Sequence, residues 1–481
     1  MPKSTEFKGV ENMENAKSVT LNKALLMLLC IVVILSAGNV ILKIPTEISF
    51  VLTIVAISLV ALSSGFTLKE LQGFFVEGCR ESLIVVLIMM SVGMVIGSWI
   101  VSGIVPSIIY YGLKFISPSF FLVSGFLLLC LVSFFIGSSF ATAGTLGVAF
   151  MGIGYGMGIP PAMTAGMVIS GSLFGNKISP FADTTNLCLA VAKVELVDHI
   201  KSMLYSVVPI LVISTAIYTY LGFGFVQESL DQSKLDLITT TLGQRFIINP
   251  FFLIVPILTI ILAIRRMPPV IALLLAALIG VVVALIWQPY DATTIFKALS
   301  SGFLIKSGVP QVDALLNRGG ISSMTSIITL VIFILGFGQI LQKTGVVNVL
   351  LDKVQGVIRG STSLVITTLI TGLLTDMLTA SQYMSILLPG QMLRPAYERL
   401  NIRMTVLSRT LEDGGTMFSY IVPWSVTALY LSGVLGLPVI EMVPYAYQAW
   451  LTPFLTVFYA ITGIAIWKEV DRQPEARTIN P

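Results

Sequence analysis

Residues 137–186 read GSSFATAGTLGVAFMGIGYGMGIPPAMTAGMVISGSLFGNKISPFADTTN. The segment is apolar enough to lie at membrane depth, yet it is crowded with Gly, Ser, Thr and Pro and carries Lys177 and Asp183. Gly and Pro weaken a helix, and a broken helix is tolerated in a bilayer only where protein or a water-filled cavity surrounds it. Its free carbonyls and hydroxyls are ligands that hard cations prefer. The segment therefore predicts an interrupted membrane helix beside a cation site.

The composition extends this interpretation to the whole chain. Of its 481 residues, 56% are apolar and 11% are charged, and the mean hydropathy is +0.94, whereas soluble domains carry about 25% charged residues. Apolar blocks such as Leu21–Leu42, Ser82–Val101 and Val270–Trp287 approach or exceed the roughly 20 residues that cross a bilayer. We predict an all-α polytopic membrane protein with on the order of 10–13 crossings. The alternating pattern of a β-barrel is absent, and the four scattered cysteines match neither a disulfide framework nor zinc spacing.

The basic residues predict the orientation. The net charge of +4 is too small to indicate a nucleic-acid surface. By the positive-inside rule, the Lys and Arg residues that flank the apolar blocks predict cytoplasmic termini, an even number of crossings and a place in a bacterial inner membrane. These residues are Lys3, Lys8, Lys17, Lys23, Arg265, Arg266, Arg394, Arg399, Arg403, Lys468, Arg472 and Arg477. The first apolar run is too long for a cleavable signal.

An internal repeat is indicated by a constant offset. The segment from Ser102 resembles the segment from Thr344 at an offset of 242 residues, which also pairs Ser139 with Ser381. One inserted residue then pairs Pro180 with Pro423. The alternative is that two apolar stretches look alike by composition. The predicted organisation is an N-terminal part (1–81), repeat 1 (82–222), connecting segments (223–320), repeat 2 (321–467) and a cytoplasmic tail (468–481).

Within the first half, Ser179 and Pro180 should interrupt a helix. The four residues after Ala182 then offer a carboxylate, two hydroxyls and an amide as ion ligands; they are Asp183, Thr184, Thr185 and Asn186. For Asp183 three alternatives stay open: a helix cap alone, a cap that also serves the ion, or an exposed loop. Lys177 is either an internal counter-charge to Asp183 or a side chain that snorkels to the interface.

The matching stretch of the second half is Thr375–Tyr430. It offers carboxylates and hydroxyls that could complete an oxygen cage: Asp376, Ser381, Glu412, Asp413, Thr416, Ser425 and Thr427. Adjacent carboxylates beside a Gly pair fit a cation or proton site. The alternatives are a surface loop paired with Arg409, and hydroxyls that only pack helices. His199, the only histidine, is a candidate pH sensor, although we favour an interfacial residue on the polar helix KVELVDHIK.

Long motifs in the same order resemble the NhaC family of sodium/proton antiporters over about residues 80–465. They are GIPPAMTAGMVISGSLFGNKISPFADTTNL, HIKSMLYSVVP, QYMSILLPGQM, VLSRTLEDGGT and PWSVTALYLSGVLG. The resemblance implies a repeat-containing ion-transporter bundle and exchange of cytoplasmic Na⁺ for external H⁺; the family also includes a malate/lactate exchanger. Two family acids are replaced here, by Asn176 and by Ser381. These departures put ordinary Na⁺/H⁺ coupling in question and leave an organic substrate open.

We therefore predict an ion-transporter bundle with two structural repeats and discontinuous helices that meet near the membrane midplane. The predicted function is Na⁺/H⁺ antiport, and the alternatives are an organic-acid exchanger of the malate/lactate type and a passive channel. Predicted ion or substrate ligands are Ser139, Asn176, Ser179, Asp183, Thr184, Thr185, Asn186, Asp376, Ser381, Glu412, Asp413, Thr416, Ser425 and Thr427, with Lys177 and Arg409 as charge partners and Na⁺ placed at Asp183 and Thr184. No enzymatic activity and no cofactor are expected, because nucleotide-binding and zinc-protease motifs are absent. The expected partners are the lipid bilayer, Na⁺ and H⁺, with no nucleic acid; a small organic acid and a second copy of the chain are further candidates.

Overall fold

The computed structural model describes residues 17–38, 42, 44–224 and 232–469. In that part of the chain every regular element is helical, apart from one isolated antiparallel bridge between Ile402 and Lys468. The all-α prediction is therefore confirmed. The basic residues Lys3, Lys8, Arg472 and Arg477, and with them both predicted cytoplasmic ends, lie outside the described residues.

The helices of the first half include several whose ends are set by Pro or Gly. In chain order they are α1 (Leu21–Ser36), α2 (Thr46–Leu62), α3 (Leu68–Val101), α4 (Ile104–Phe115), α5 (Pro118–Ile136), α6 (Ser139–Thr142), α7 (Val148–Gly156), α8 (Pro161–Ile178), α9 (Asp183–Ala192) and α10 (Leu196–Gly224). α5 and α8 begin with Pro, whose fixed φ suits the first turn. α5 ends at Gly137, which adopts the left-handed conformation at φ 69°.

Among the remaining helices, too, Pro or Gly sets several of the ends. They are α11 (Gln232–Arg245), α12 (Ile254–Ile264), α13 (Pro269–Trp287), α14 (Ala292–Ser301), α15 (Pro310–Leu316), α16 (Thr325–Lys343), α17 (Val346–Gln355), α18 (Ser361–Thr379), α19 (Gln382–Arg399), α20 (Met404–Leu411), α21 (Val426–Leu435), α22 (Val439–Met442) and α23 (Tyr447–Thr462). Short 3₁₀ turns precede α12, α16 and α23.

The predicted helix interruptions are present. α8 stops at Ile178 and α9 starts at Asp183, because Pro180 lacks an N–H and disfavours helix in the residue before it. In the second half α20 continues into a π-helical turn, Glu412–Thr416, and α21 starts only at Val426. A second π-helical turn joins α6 to α7. Such turns occur frequently at functional sites.

Among the described residues, six helices are long and apolar enough to cross a membrane, or up to eight spans if each strongly bent helix pair counts as one. The six are Leu68–Val101, Pro118–Ile136, Leu196–Gly224, Pro269–Trp287, Ile321–Lys343 and Ser361–Thr379. The chain is thus a multi-pass membrane protein. Three shorter apolar helices, Leu21–Leu35, Thr46–Leu62 and Ile104–Phe115, also occur among the described residues, and the predicted 10–13 crossings stay a prediction.

The chain forms two compact units. The smaller contains the described residues between 17 and 83 together with residues 329–356, and in it α1 packs against α2 and α17. Lys343 and Glu77 form an ion pair of 2.8 Å within this unit. The predicted boundaries at 81, 222 and 320 stay a prediction.

The larger unit comprises residues 84–328 and 357 onwards. Within it, α8 packs closely along α5 and α23, α10 lies against α5, α20 and α23, and α19 contacts both α9 and α18. The apolar side chains of α18, α19 and α20 form one buried cluster, which includes Leu364, Ile386, Tyr397, Leu407 and Leu411. This packing holds the helix interruptions of both halves inside the same unit.

Two pairs of helix starts are separated by nearly the same number of residues, and the internal repeat stays a prediction. α4 begins at Ile104 and α17 begins 242 residues later, at Val346. α9 begins at Asp183 and α21 begins 243 residues later, at Val426.

Candidate functional site

Fully buried charges meet at Asp413, in the π-helical turn after α20. One carboxylate oxygen, Oδ1, lies 2.5 Å from Lys177 Nζ, and neither side chain is exposed. Ser206 Oγ donates to Oδ1 at 3.0 Å, and Thr456 Oγ1 donates to Oδ2 at 2.7 Å. The guanidinium of Arg409, one turn earlier, lies 3.9 Å from Oδ2. Asp413 is therefore paired with positive charges from α8 and α20 and bonded by hydroxyls from α10 and α23.

The widened turn depends on its glycines. A Cβ at Gly415 would stand 2.5 Å from the carbonyl oxygen of Ser385 on α19. In return, the Ser385 hydroxyl donates to the Gly415 carbonyl at 2.8 Å. A π-helical turn inserts one extra residue into a helix. In this turn the side chains of Glu412 and Asp413 contact different sets of residues. The Gly pair thus lets α20 approach α19 closely while both carboxylates point into the protein.

Glu412 is also fully buried, but its partners are neutral. Thr184 Oγ1 donates to Oε1 at 3.0 Å, and Cys188 Sγ donates to Oε2 at 3.1 Å. Asn176 Nδ2 in turn donates to Thr184 Oγ1 at 3.4 Å. No ion pair to Glu412 occurs in the part of the chain that the structure describes.

Asp376, near the end of α18, is a third buried carboxylate. Ser419 Oγ and Ser425 Oγ donate to its Oδ1 at 2.9 and 3.4 Å. The other oxygen, Oδ2, has no hydrogen-bond partner among the described residues. No ion pair to Asp376 occurs among them either. Asp376 therefore lies in a pocket of hydroxyls with an unsatisfied oxygen.

The two interruptions of the second half are joined by their backbones. Ala380, between α18 and α19, adopts the left-handed conformation at φ 53°. Its carbonyl accepts a hydrogen bond from the N–H of Val426, the first residue of α21, at 3.1 Å. Beside this bond, Thr427 Oγ1 donates to Gln382 Oε1 at 3.4 Å. The start of α21 is thus fixed to the turn between α18 and α19.

Asp183 occupies a different environment. It is exposed, and it lines a cavity of about 540 Å³ together with Arg266, whose guanidinium lies 4.6 Å from the centre of the Phe181 ring. The side chain of Tyr383 lies beside the Asp183 carboxylate. Further residues lining the cavity include Ser138, Thr145, Asn186 and Thr259. The cavity brings solvent-accessible space to the interruption between α8 and α9.

The structure therefore separates the predicted ligands into groups. Asn176, Thr184, Glu412, Asp413 and Thr416 lie together in the buried centre, and Asp376 lies with Ser425. The remaining predicted residues form hydrogen bonds with other protein groups. Ser179 accepts from the Phe181 N–H, Thr185 donates to the Lys177 carbonyl, Asn186 donates to the Ala182 carbonyl, Ser381 caps α19, and Ser139 accepts from the Tyr420 hydroxyl at 2.6 Å.

Asp183 and Thr184, the pair predicted to hold Na⁺ together, point apart. Successive helical side chains differ by about 100° in direction, so Thr184 reaches Glu412 while Asp183 faces the cavity. No cluster of three or more His, Cys, Asp or Glu side chains suited to a metal ion occurs among the described residues. Asp183 is also the first residue of α9 rather than its cap, which is Ala182.

The buried charges also show where Lys177, Arg409 and His199 lie. Lys177 neither pairs with Asp183 nor snorkels, because it is buried against Asp413. Glu412 and Asp413 do not form a surface loop with Arg409, since all three are buried. The favoured interfacial position of His199 is wrong: the imidazole is buried, and its Nδ1 lies 3.0 Å from Ser408 Oγ.

Several residues of the site were not predicted. They are Cys188, Ser206, Gln382, Ser419 and Thr456. Ser206 lies within the motif HIKSMLYSVVP, and its position four residues after Ser202 places two hydroxyls on one helix face. Thr456 follows Gln448 and Thr452 at the same four-residue spacing. These spacings were the available signal, and they indicate polar faces on otherwise apolar helices.

Comparison with known proteins adds the family. The family model described as the Na⁺/H⁺ antiporter family matches residues 171–464. The chain belongs to this antiporter family. The match covers Asp183, both π-turn carboxylates and Asp376, so the buried centre lies within the family region. The predicted resemblance to NhaC proteins is thereby confirmed.

Individual relatives cover nearly the full chain. The Na⁺/H⁺ antiporter NhaC of Alkalihalophilus pseudofirmus is 35% identical over 94% of this chain and 98% of its own. The malate-2H⁺/Na⁺-lactate antiporter of Bacillus subtilis is 33% identical over 95% and 97%. The arginine/ornithine antiporter ArcD of Halobacterium salinarum is 32% identical over 98% and 97%. All three relatives are antiporters by name.

Proposed function

We propose that the protein is a secondary active transporter that expels cytoplasmic Na⁺ in exchange for H⁺. The observation that carries the proposal is that Glu412 and Asp376 are fully buried carboxylates without a basic partner among the described residues. Membership of the Na⁺/H⁺ antiporter family and the NhaC relatives support the same activity.

The charge state of these two carboxylates explains the exchange. An ionised carboxylate at the bilayer centre costs about 2.5–3.5 kcal/mol on insertion scales. Asp413 avoids this cost because Lys177 and Arg409 neutralise it. Glu412 and Asp376 bond to hydroxyl and thiol groups and form no ion pair among the described residues, so each is suited to hold a proton or a cation. One carboxylate cannot hold both at once, and this competition couples the flow of Na⁺ to that of H⁺.

The neighbouring groups suit Na⁺. Hard cations take oxygen ligands from carboxylates, hydroxyls and carbonyls, and interrupted helices supply free carbonyls as well. At Glu412 the available oxygens include Thr184 and Thr416; at Asp376 they include Ser419 and Ser425. In this proposal Asp413 is a positioning residue, which orients the π-helical turn that carries Glu412.

We also propose that the two halves are structural repeats that move relative to each other during transport. The support is the constant offset of 242–243 residues between corresponding helix starts. Repeats with interrupted helices at matching places are characteristic of secondary transporters. Alternating access would then come from displacement of one helix bundle around the buried carboxylates.

The test uses purified protein in proteoliposomes that contain a pH-sensitive dye. A pulse of external Na⁺ is expected to change the internal pH of liposomes with the wild-type protein. Asp376→Asn and Glu412→Gln should each abolish this change, because a neutral amide cannot exchange a proton for Na⁺. Asp198→Asn, which removes an exposed carboxylate on α10, is the matched control and should exchange normally.

Retained exchange in both buried variants would contradict the assignment of these carboxylates. Asp183 stays a predicted ion ligand, and Asp183→Asn in the same assay tests its role at the cavity. A wild-type protein that gives no pH change with Na⁺ would contradict the proposed function itself.

The second candidate is an H⁺/Na⁺-coupled organic-acid exchanger of the malate/lactate type. The observation that favours it is the cavity beside Asp183, where Arg266 offers a cation for a substrate carboxylate next to the Phe181 ring. One of the relatives is a malate/lactate antiporter. Uptake of labelled malate and lactate, driven by a pH gradient, distinguishes this function from simple Na⁺/H⁺ exchange.

A further inference from the structure

An unusual set of buried polar groups lies outside the carboxylate site, between α8, α10 and α23. These three helices pack against one another. Their facing hydroxyl and amide side chains are fully buried, although each helix is otherwise apolar. The set comprises Ser170, Ser206, Ser214, Tyr218, Gln448, Thr452 and Thr456. At one end of the set Ser206 and Thr456 donate to Asp413.

Helix packing through small hydroxyl side chains does not explain why the larger amide of Gln448 is buried. Its side chain is completely buried, and neither Nε2 nor Oε1 has a hydrogen-bond partner among the described residues. Buried polar groups are paired in the great majority of cases, with protein or with ordered water. An amide left without partners would cost free energy that a membrane helix cannot recover from solvent. Ser214 Oγ on the facing helix is unpartnered as well among the residues described.

The opposite end of the set approaches the surface. The Tyr218 hydroxyl contacts Ser170 Oγ at 2.9 Å and donates to the carbonyl of Tyr445 at 2.7 Å. Tyr445 and Tyr447 are partly exposed. Along α23, Gln448, Thr452 and Thr456 are spaced by four residues, so the set extends over about 12 Å of that helix. It therefore connects a partly exposed turn to the buried charges.

We propose that Gln448 and its neighbours hold a chain of water molecules that conducts protons between the Tyr445 turn and the π-helical turn that carries Asp413 and the proton-exchanging Glu412. Each water accepts one proton from its neighbour on one side and passes one to the neighbour on the other, so the chain is unchanged after each transfer. The proposal rests on the proposed Na⁺/H⁺ exchange and adds the route that the proton takes. Na⁺ is not expected to use it, because the set contains no carboxylate between Tyr445 and Asp413.

The presence of water is tested first, without reference to transport. X-ray radiolysis of the purified protein generates hydroxyl radicals from bound water, and these modify adjacent side chains. Tyr218 is expected to be modified several-fold faster than Tyr430, which is equally buried but bonds only to the Phe140 carbonyl among the described residues. Gln448→Leu should lower the Tyr218 rate to that of Tyr430. Equal modification of the two tyrosines in the wild-type protein would overturn the proposal.

The route is then tested by comparing two exchange modes in proteoliposomes. Gln448→Leu and Thr452→Val should slow Na⁺/H⁺ exchange by about tenfold, the effect of raising one barrier by little more than the free energy of a hydrogen bond. Exchange of labelled Na⁺ for unlabelled Na⁺, which needs no proton, should stay within about twofold of wild type. Thr462→Val is the control for Thr452→Val, because both hydroxyls donate to the carbonyl four residues earlier, but Thr462 is exposed.

Equal slowing of both exchange modes would indicate a packing role for Gln448 and overturn the proposal, as would unchanged Na⁺/H⁺ exchange in both variants. A wild-type protein without Na⁺/H⁺ exchange would contradict the proposed function, and the footprint of Tyr218 would then decide alone whether the water chain exists.

Discussion

The three buried carboxylates differ in their partners, and this difference assigns their roles. Asp413 has an ammonium at 2.5 Å and two hydroxyl donors. Glu412 bonds to a hydroxyl and a thiol. Asp376 bonds to hydroxyls through Oδ1, and its Oδ2 has no partner among the described residues. A carboxylate held in an ion pair is suited to fix a structure, whereas one without a counter-ion is suited to bind and release a cation.

At the residue scale, the buried ion pair predicts an asymmetry between single and double substitutions. Lys177→Met alone leaves Asp413 with only the more distant guanidinium of Arg409 at 3.9 Å, and should lower the free energy of unfolding by up to about 3–5 kcal/mol. Lys177→Met combined with Asp413→Leu should recover part of that loss, because apolar replacement of a buried pair is often neutral or stabilising, although Arg409 then loses its carboxylate partner. Thermal unfolding in detergent measures both effects.

The control for this prediction is Arg394→Met, which breaks a partly exposed pair with Glu398. It should change stability by about 0–1 kcal/mol. A double variant as unstable as Lys177→Met alone would show that Lys177 stabilises the protein through contacts other than its charge.

At the element scale, the π-helical turn depends on close contact between α20 and α19. Gly415→Ala places a Cβ about 2.5 Å from the Ser385 carbonyl oxygen, so one of the two helices must shift. Overpacking of this kind costs about 1–3 kcal/mol, and the displaced Glu412 should lose Na⁺/H⁺ exchange activity. Thermal unfolding and the proteoliposome assay measure the two consequences.

Gly243→Ala provides the comparison, because nothing lies within 4 Å of the added Cβ on α11 among the described residues. This substitution should be neutral or slightly stabilising, since Ala favours helix over Gly. If Gly415→Ala is equally harmless, the turn is not held by the approach of the two helices.

Much of the element structure could be predicted from the sequence. Pro180 marks the end of α8 to within two residues, and the Gly-rich segment from Gly137 contains the π-helical turn between α6 and α7. The direction of individual side chains could not be predicted. Whether Lys177 faces Asp183 or Asp413 depends on how α8, α10 and α20 pack, and no local pattern contains that information. For the same reason, local sequence places His199 at the interface although it is buried.

At the scale of the whole molecule, composition predicts the membrane class and motif order predicts the family. The boundary of the compact units was not predictable from the offset, because residues 329–356 pack with the N-terminal helices rather than with the rest of their half. Contacts between segments far apart in sequence decide such a boundary.

Orientation in the membrane gives a prediction at this scale. The positive-inside rule places Arg266 and Arg403 on the cytoplasmic side. In inside-out vesicles, Arg266→Cys and Arg403→Cys should be labelled by a membrane-impermeant thiol reagent; in right-side-out vesicles neither should be. The wild-type protein, with its four native cysteines, gives the background. Labelling of either variant only from the outside would reverse the assigned orientation.

The hydrogen bond between the Val426 N–H and the Ala380 carbonyl has a consequence for how the sequence can diverge. It joins two helix interruptions through backbone atoms alone. Every residue except proline has the donating N–H, and every residue has the accepting carbonyl. Replacements other than proline at Val426, and those that tolerate the left-handed conformation of Ala380, keep this bond, so the link between these helices can persist while substrates and ion ligands diverge around it.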